Sequence, residues 1–130
     1  MAKKKPTRSF VSLSEGEKAY AMSRAVVQGD WCFVSGTVGY NYADGSLPEG
    51  AAQQAQNTFT NIMKALEAAD FELGHTIRVQ YTVSDRKYIK EVLPVIKRHF
   101  DNILPAATMV IADMVDEKMK IEIEVTAFKG

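Results

Sequence analysis

Two glutamates near the end of the chain, Glu122 and Glu124, are the residues best suited to chemistry. They alternate with apolar side chains in residues 120–127, KIEIEVTA. In a β-strand, such alternation places the apolar side chains on one face and both carboxylates on the other. Carboxylates on a strand inside a sheet need a functional reason, whereas an edge strand with one face in water explains them without any function. This run alone leaves both interpretations open.

Metal and nucleophilic chemistry have little support elsewhere in the chain. The two histidines, His75 and His99, have no partner at a metal-ligand spacing. The single cysteine, Cys32, has apolar neighbours, which indicates a small buried hydrophobe and excludes an internal disulfide. One such cysteine suits a reducing compartment, and we expect a cytoplasmic protein without metal or cofactor.

The composition limits the class of partner. The 130 residues include 16 Lys and Arg and 16 Asp and Glu, so the formal net charge is zero, and no overall field attracts nucleic acid or an acidic membrane. No stretch is long and apolar enough to span a bilayer. The length fits one domain. Residues 1–8, which include three consecutive lysines, predict a disordered basic tail, and residues 9–130 predict a single domain.

Periodicity predicts the elements that would position Glu122. Residues 24–28 and 31–38 are predicted as two β-strands, and Gly29-Asp30 between them suits a tight hairpin. Apolar residues at helical spacing predict a helix over residues 50–69. The segment between hairpin and helix, residues 39–49, is rich in Gly, Asn and Asp and predicts a loop long enough to suspect a functional lid.

The remaining segments are predicted in the same way. A second helix is predicted with its buried apolar stripe within residues 89–100. Because proline is tolerated only in the first turn of a helix, Pro94 predicts that this helix begins near residues 90–93. Residues 14–21 fit either a loop or a helical turn. Further strands are predicted over residues 10–13, 77–83, 107–111 and 119–128.

This order of elements predicts an α+β fold in which two helices pack on one face of a mixed sheet. The other face still carries valine, isoleucine, tyrosine and methionine side chains, which a monomer would leave in water. Rotational self-association is the simplest way to cover such a patch. Pockets would then form between subunits.

Four motifs resemble those of a known family. They are GDWCFVSGT at residues 29–37, the helix segment 54–61 followed by ALEAA at 65–69, PAAT at 105–108, and IEIE at 121–124. In this order and spacing they resemble the Rid family (YjgF-like, reactive intermediate deaminase) over about residues 23–127. The resemblance implies a chorismate-mutase-like fold, a homotrimer, and a cleft for a small metabolite at each subunit interface. In the best-known members these clefts hydrolyse 2-imino acids to 2-keto acids and ammonia without a cofactor.

The resemblance also assigns residues to the cleft. Glu122 stands at the position of the family's glutamate, which implies that it orients water against the imine carbon. Several polar positions of the family are replaced here: Met22 stands where the family has tyrosine, Ala107 where it has arginine, and Met109 where it has cysteine. The other positions assigned to the cleft are Ser35, Gly36, Thr37 and Thr108.

Ala107 removes the arginine that holds the substrate carboxylate in the family. Losing such a charge-assisted contact costs about 1.5–3 kcal/mol, or a factor of about 10 to 150 in binding. We therefore expect weak or absent hydrolysis of 2-iminobutanoate. Arg24, close to Met22, offers a substitute guanidinium for an anion. It could equally form a structural salt bridge with Glu122, Glu124 or Asp113.

Three functional hypotheses follow. The first is a trimer whose interfacial cleft takes a small carboxylate- or amide-bearing metabolite and hydrolyses an imine, enamine or related C–N bond. The second is a non-catalytic homologue that binds a metabolite or a protein. The third is an endoribonuclease or translation inhibitor, which is disfavoured because the chain has no basic stripe with interleaved aromatic residues.

Overall fold

The computed structural model describes residues 7–130, which form one six-stranded sheet and three α-helices. Short 3₁₀ turns cover Leu73–His75 and Arg86–Tyr88. The α-helices are α1 (Gly16–Ala19), α2 (Ala51–Ala68) and α3 (Ile89–Phe100). The strands are β1 (Arg8–Val11), β2 (Ala25–Gln28), β3 (Trp31–Thr37), β4 (Thr76–Val83), β5 (Ala106–Ile111) and β6 (Ile121–Phe128).

The sheet is mixed, as predicted. Its strand order is β1-β2-β3-β6-β4-β5. β4 and β5 are parallel, and every other neighbouring pair is antiparallel. α2 and α3 pack together on one face and bury Phe59, Ile62, Val92 and Phe100 in a single core with the sheet. The α+β architecture with two helices on one face is confirmed.

β6 carries the two glutamates through the middle of the sheet. It pairs with β3 on one side and β4 on the other, so it has no free edge. Ile121, Ile123 and Val125 are buried against the helices, while Glu122 and Glu124 project from the opposite face. The predicted alternation is confirmed, and the interpretation as a solvated edge strand is wrong. The carboxylates therefore need another explanation.

The first strand begins earlier than predicted. β1 starts at Arg8, which pairs with Gln28, and the Arg8 Nε donates a 2.9 Å hydrogen bond to the Gln28 side-chain oxygen. Arg8 therefore belongs to the sheet rather than to the predicted basic tail. The part of that tail in residues 1–6 lies outside the described residues.

The second long helix also differs from its prediction. α3 begins at Ile89 and continues through Pro94, which lies beyond the first turn. Pro94 and Lys90, whose carbonyl would accept the missing hydrogen bond, are both on the exposed side. Water can hydrate that carbonyl, so the helix tolerates the proline there. No helix among residues 7–130 is long and apolar enough to cross a membrane.

The sheet face opposite the helices is uncovered and apolar, and we call it the open face. It carries Trp31, Phe33 and Phe128, which pack against one another, with ring centroids of Trp31 and Phe128 4.6 Å apart. Trp31 is 40% exposed and Phe33 is 46% exposed. A groove of about 530 Å³ runs along this face. The predicted apolar second face is therefore present.

Candidate functional site

A cleft of about 640 Å³ opens at one end of the sheet, and we call it the Glu122 cleft. Its walls come from three parts of the chain, within residues 14–24, 36–42 and 115–122. Of the residues assigned from the sequence, it brings together Met22, Arg24, Gly36 and Glu122. Met22 and Arg24 precede β2, Gly36 lies in β3 and Glu122 lies in β6, so the fold brings three separate segments to one cleft.

Glu122 is the central acidic group of the cleft. It lies opposite Thr82 of β4 and is half-buried. Within residues 7–130, no side chain or backbone group donates a hydrogen bond to its carboxylate. Burial raises the pKa of Glu122 and the nearby Glu124 raises it further, while Arg24 lowers it. A carboxylate in this state is available to a ligand and can exchange a proton at a higher pH than a free glutamate.

Gly36 makes room for the Glu122 carboxylate. The register between β3 and β6 shifts between Val34 and Thr37, so the sheet has a bulge beside Glu122. A Cβ atom on Gly36 would lie 2.7 Å from the Glu122 carboxyl carbon, which no real side chain allows. Any larger residue here would push the flexible Glu122 carboxylate out of its place, so glycine allows this close approach.

Arg24 lies beneath the same bulge and is only 9% exposed. Its Nη1 donates to the Gly36 carbonyl at 2.7 Å and to the Thr37 hydroxyl at 3.2 Å. Its Nε donates to Glu17 at 3.3 Å. The structural salt bridge considered for Arg24 thus exists, but its partner is Glu17 and not Glu122, Glu124 or Asp113. Arg24 reaches Gly36 because the two residues lie at facing ends of the β2–β3 hairpin.

Glu17 anchors the arginine and was missed by the sequence analysis. The side chain is 1% exposed and accepts five hydrogen bonds, from Ser12, Leu13, Ser14 (two) and Arg24. Burial alone would raise the pKa of Glu17, but the hydrogen bonds from Ser14, Ser12 and Leu13 lower it to about 2. The signal that could have found it is the Ser14-x-x-Glu17 spacing, which is typical of a capping box at a helix start.

Residues 39–49, the suspected lid, are hydrogen-bonded to α2 near both ends and contribute Tyr40 and Tyr42 to the cleft. Asn61 of α2 donates to the carbonyls of Val38 and Tyr40, and Asn57 donates to that of Gly39. Gln54, also on α2, holds the Pro48 carbonyl at 2.7 Å. These amides satisfy backbone carbonyls near the two ends of the loop from the helix side. The function as a lid stays a prediction.

Three tyrosines face the cleft from these walls. Tyr20 follows α1, while Tyr40 and Tyr42 belong to the loop of residues 39–49. Burial raises the pKa of Tyr40 and of Tyr42. Asp116 raises the pKa of Tyr40 further. For Tyr42, Arg24 lowers the pKa and Glu17 raises it by a smaller amount, so both members of the Arg24–Glu17 pair act on this ring. Tyr40 and Tyr42 are thus neutral at physiological pH.

The other residues assigned from the sequence do not line the Glu122 cleft within one protomer. Thr37 is buried and supports Arg24, and the Ser35 hydroxyl donates to the Ser23 carbonyl at 2.7 Å. The remaining three lie on β5, the edge strand at the far side of β4. They are Ala107, Thr108 and Met109. Their role in a site is a prediction that depends on a second subunit.

Neither a nucleophile nor a metal centre accompanies Glu122. Cys32 is buried, and burial raises the pKa of its thiol to about 11 although Lys129 opposes this. A thiol in that state is unreactive. In the part of the chain that the structure describes, no three His, Cys, Asp or Glu side chains are arranged to hold a metal ion. The chemistry that this geometry offers is acid–base chemistry by one carboxyl group.

Comparison with known proteins gives consistent matches over most of the chain. Residues 14–129 match the model of the family described as endoribonuclease L-PSP. A Bos taurus protein named 2-iminobutanoate/2-iminopropanoate deaminase is 27% identical over 125 residues, covering 95% of this chain and 91% of the relative. A RutC family protein from Aquifex aeolicus is 29% identical over 109 residues, covering 82% of this chain and 87% of the relative.

The fold matches solved structures equally well. A crystal structure of a member of the YjgF family from Mycobacterium tuberculosis superimposes with a TM-score of 0.85 at 30% identity. The match covers 95% of this chain and all of that chain, 100%. The agreement extends to the whole arrangement of sheet and helices.

Proposed function

Because the chain belongs to the endoribonuclease L-PSP family, also called the YjgF family, as its motifs predicted, we propose that it hydrolyses an imine or enamine with Glu122 as the acid–base group. The observation that carries this proposal is the state of Glu122. It is half-buried in a cleft, its pKa is raised, and no group of residues 7–130 donates a hydrogen bond to it. Relatives named as 2-iminobutanoate deaminases support the same class of reaction.

The reaction needs only one proton-transfer group and water. The Glu122 carboxylate takes a proton from a water molecule as the water oxygen bonds to the imine carbon, and the C=N electron pair moves to nitrogen. The resulting carbinolamine takes the proton back from Glu122 on its nitrogen. Glu122 then takes the hydroxyl proton and passes it to the nitrogen, so that the C–N bond breaks as the C=O bond forms and ammonia leaves. An enamine enters the same sequence after protonation on carbon.

The supporting residues fix the position of Glu122 rather than react. Glu17 holds Arg24, Arg24 holds the Gly36 carbonyl, and Gly36 lies against the Glu122 carboxylate. Arg24 lowers the pKa of Glu122 through its field, but its guanidinium is paired with Glu17 and forms no salt bridge with Glu122. In this proposal Arg24 and Glu17 are positioning residues.

The charge of the cleft disfavours a ribonuclease. Three carboxylates and one guanidinium line it, namely Glu17, Asp116, Glu122 and Arg24. A phosphate backbone needs a positive groove. The family's descriptive name is therefore not a guide to the substrate of this chain.

The proposed function is tested with imines released in place by a flavin-dependent amine or amino-acid oxidase. Semicarbazide traps the imine that escapes hydrolysis, so a hydrolase lowers semicarbazone formation and accelerates release of carbonyl product and ammonia. We expect acceleration for at least one imine of a panel that includes both amine-derived and amino-acid-derived members. A panel on which an arginine-bearing relative is active and this protein is inactive throughout would favour the non-catalytic alternative.

The usual family substrate is expected to react poorly. Ala107 offers no charge to the carboxylate of 2-iminobutanoate, so we expect hydrolysis about 10 to 150-fold slower than that of an arginine-bearing relative. The measurement is keto-acid release in a dehydratase-coupled assay. Ala107→Arg raises the rate only if the cleft still fits an imino acid beside Met22 and Met109. Equal activity of this protein and the relative would contradict the argument from the missing guanidinium.

We further propose a homotrimer that closes its clefts with β5 of a neighbouring subunit. The support is the open face, where Trp31, Phe33 and Ile77 are exposed. Light scattering is expected to give three times the chain mass of 14.4 kDa. Phe33→Asp on the open face should lower that mass, whereas the control Ala52→Asp on the exposed side of α2 should not. A monomer at micromolar concentration would exclude the trimer.

A further inference from the structure

The Glu122 cleft combines aromatic walls with an excess of negative charge. Tyr20, Tyr40 and Tyr42 present rings to it, and Met22 and Met119 add polarisable apolar contacts. Tyr20 is 76% exposed, so its ring is not part of the core and is free for a ligand. None of the three hydroxyls makes a hydrogen bond within the described part of the chain. The three hydroxyls are thus not engaged by the protein, while the rings of Tyr40 and Tyr42 are partly buried in the cleft wall.

The negative charge is not neutralised from within the cleft. Arg24 is the single basic residue of its lining, and its Nε is paired with Glu17 at 3.3 Å. Asp116 accepts only a backbone hydrogen bond, from the Lys118 amide at 2.8 Å. The Glu122 carboxylate has no partner among residues 7–130. Arg24 acts on Glu122 only through its field, and neither the Glu122 nor the Asp116 carboxylate forms a salt bridge within residues 7–130.

The geometry points to a small organic cation with a planar, apolar body as the ligand of the Glu122 cleft, seated on the tyrosine rings with Glu122 as its counter-ion. Cations bind over the faces of aromatic rings because the ring quadrupole is negative there. The contribution rises when an acidic group completes the cage and water is excluded. An iminium, an amidinium or a substituted ammonium group fits this description.

This inference reverses the charge preference that the family resemblance implied. That resemblance predicted a carboxylate held by a cationic fork, but Ala107, Thr108 and Met109 bring no charge even if β5 of a second subunit completes the cleft. For the reaction, the inference rests on the proposed function, since an iminium is the protonated form of an imine. For binding, it stands on the cleft alone.

The test uses three planar probes of the same shape and different charge: benzamidine, which is cationic, benzamide, which is neutral, and benzoate, which is anionic. Each is titrated into the full-length protein by calorimetry at neutral pH. We expect benzamidine to bind about tenfold or more tightly than benzamide, and benzoate to bind most weakly. Raising the salt concentration should weaken the binding of benzamidine and leave the binding of benzamide unchanged.

Two variants assign the preference to the cleft. Glu122→Gln should remove most of the advantage of benzamidine over benzamide, and Tyr20→Ala should weaken benzamidine several-fold without unfolding the protein, since Tyr20 is exposed. Glu124→Gln is the matched control, because Glu124 lies on the same strand face but outside the cleft lining. It should change neither the affinity for benzamidine nor its advantage over benzamide. Benzoate binding as tightly as benzamidine, or a benzamidine affinity that neither variant changes, would overturn the inference.

The outcomes for binding and for hydrolysis are separate. If benzamidine is preferred but no imine of the panel is hydrolysed, the proposed function is wrong and the ligand class stands. If imines are hydrolysed but benzoate is preferred, the ligand class is wrong and the hydrolase stands. In the second case, amino-acid-derived imines should react faster than amine-derived ones.

Discussion

Glu122→Gln is expected to slow imine hydrolysis by about 10²–10⁴-fold, the usual contribution of a positioned acid–base group. Glutamine keeps the size of the side chain but cannot take a proton from water. Because Glu122 makes no hydrogen bond within residues 7–130, the change should leave the melting temperature nearly unchanged. The measurement is the turnover number for the most reactive imine of the panel, together with a thermal melt.

Glu124→Gln is the matched control for this prediction, since it removes a carboxylate two positions away on the same strand face. It should leave turnover at neutral pH unchanged within error. Gly36→Ala is a third variant, because its Cβ would displace the Glu122 carboxylate, and it should reduce turnover while Glu122 itself is intact. Full activity of Glu122→Gln would exclude Glu122 as the acid–base group.

The pH dependence follows from the same group. Hydrolysis needs the carboxylate form of Glu122, so the rate should rise with pH as this group loses its proton. Burial and Glu124 raise the pKa of Glu122 above the ordinary value of 4.5, so the acid limb of the profile should lie above pH 4.5. An acid limb below that value would mean that another group controls the rate.

Glu17→Gln is expected to lower the free energy of unfolding by about 3 kcal/mol at neutral pH, because breaking a buried ion pair leaves Arg24 uncompensated. The hydrogen bonds that Glu17 accepts from Ser14, Ser12 and Leu13 give a contribution of the same size through proton linkage. The pKa of Glu17 falls from 4.5 unfolded to about 2 folded, which corresponds to about 3 kcal/mol. Chemical denaturation of both proteins at neutral pH measures the difference. Glu15→Gln, an exposed change beside α1, is the control and should have little effect.

The sign of the pH effect is fixed by the direction of the shift. Since the folded pKa of Glu17 is depressed, its contribution is complete above pH 4.5 and is lost as the pH falls towards about 2. The stability difference between the wild type and Glu17→Gln should therefore shrink over this interval. A difference that stays constant down to pH 2 would show that the effect comes from packing and not from charge.

The fold could be predicted from sequence because its main elements are encoded locally. The alternation in residues 120–127 identified the buried and polar faces of β6, and the helical spacing in residues 50–69 identified α2. Gly29-Asp30 marked the hairpin between β2 and β3. The predicted start of α3 was wrong for a reason that the sequence does not show. Pro94 is tolerated beyond the first turn because the carbonyl that loses its hydrogen bond lies on the exposed side of the helix.

The sequence by itself determined the family and the acidic residue of the site, because a strand's period of two and the family's motifs are both readable along the chain. Only the tertiary structure decided what surrounds Glu122. It placed β6 inside the sheet, joined Arg24 to Glu17 and Gly36, and brought the three tyrosines to one cleft. Gln54 illustrates the reason. Its side-chain amide donates hydrogen bonds to the carbonyls of Pro48 and Lys118, and Lys118 is 64 residues away along the chain. Such partners meet only after the chain has folded, so no local pattern records the charge or the shape of the cleft that they form.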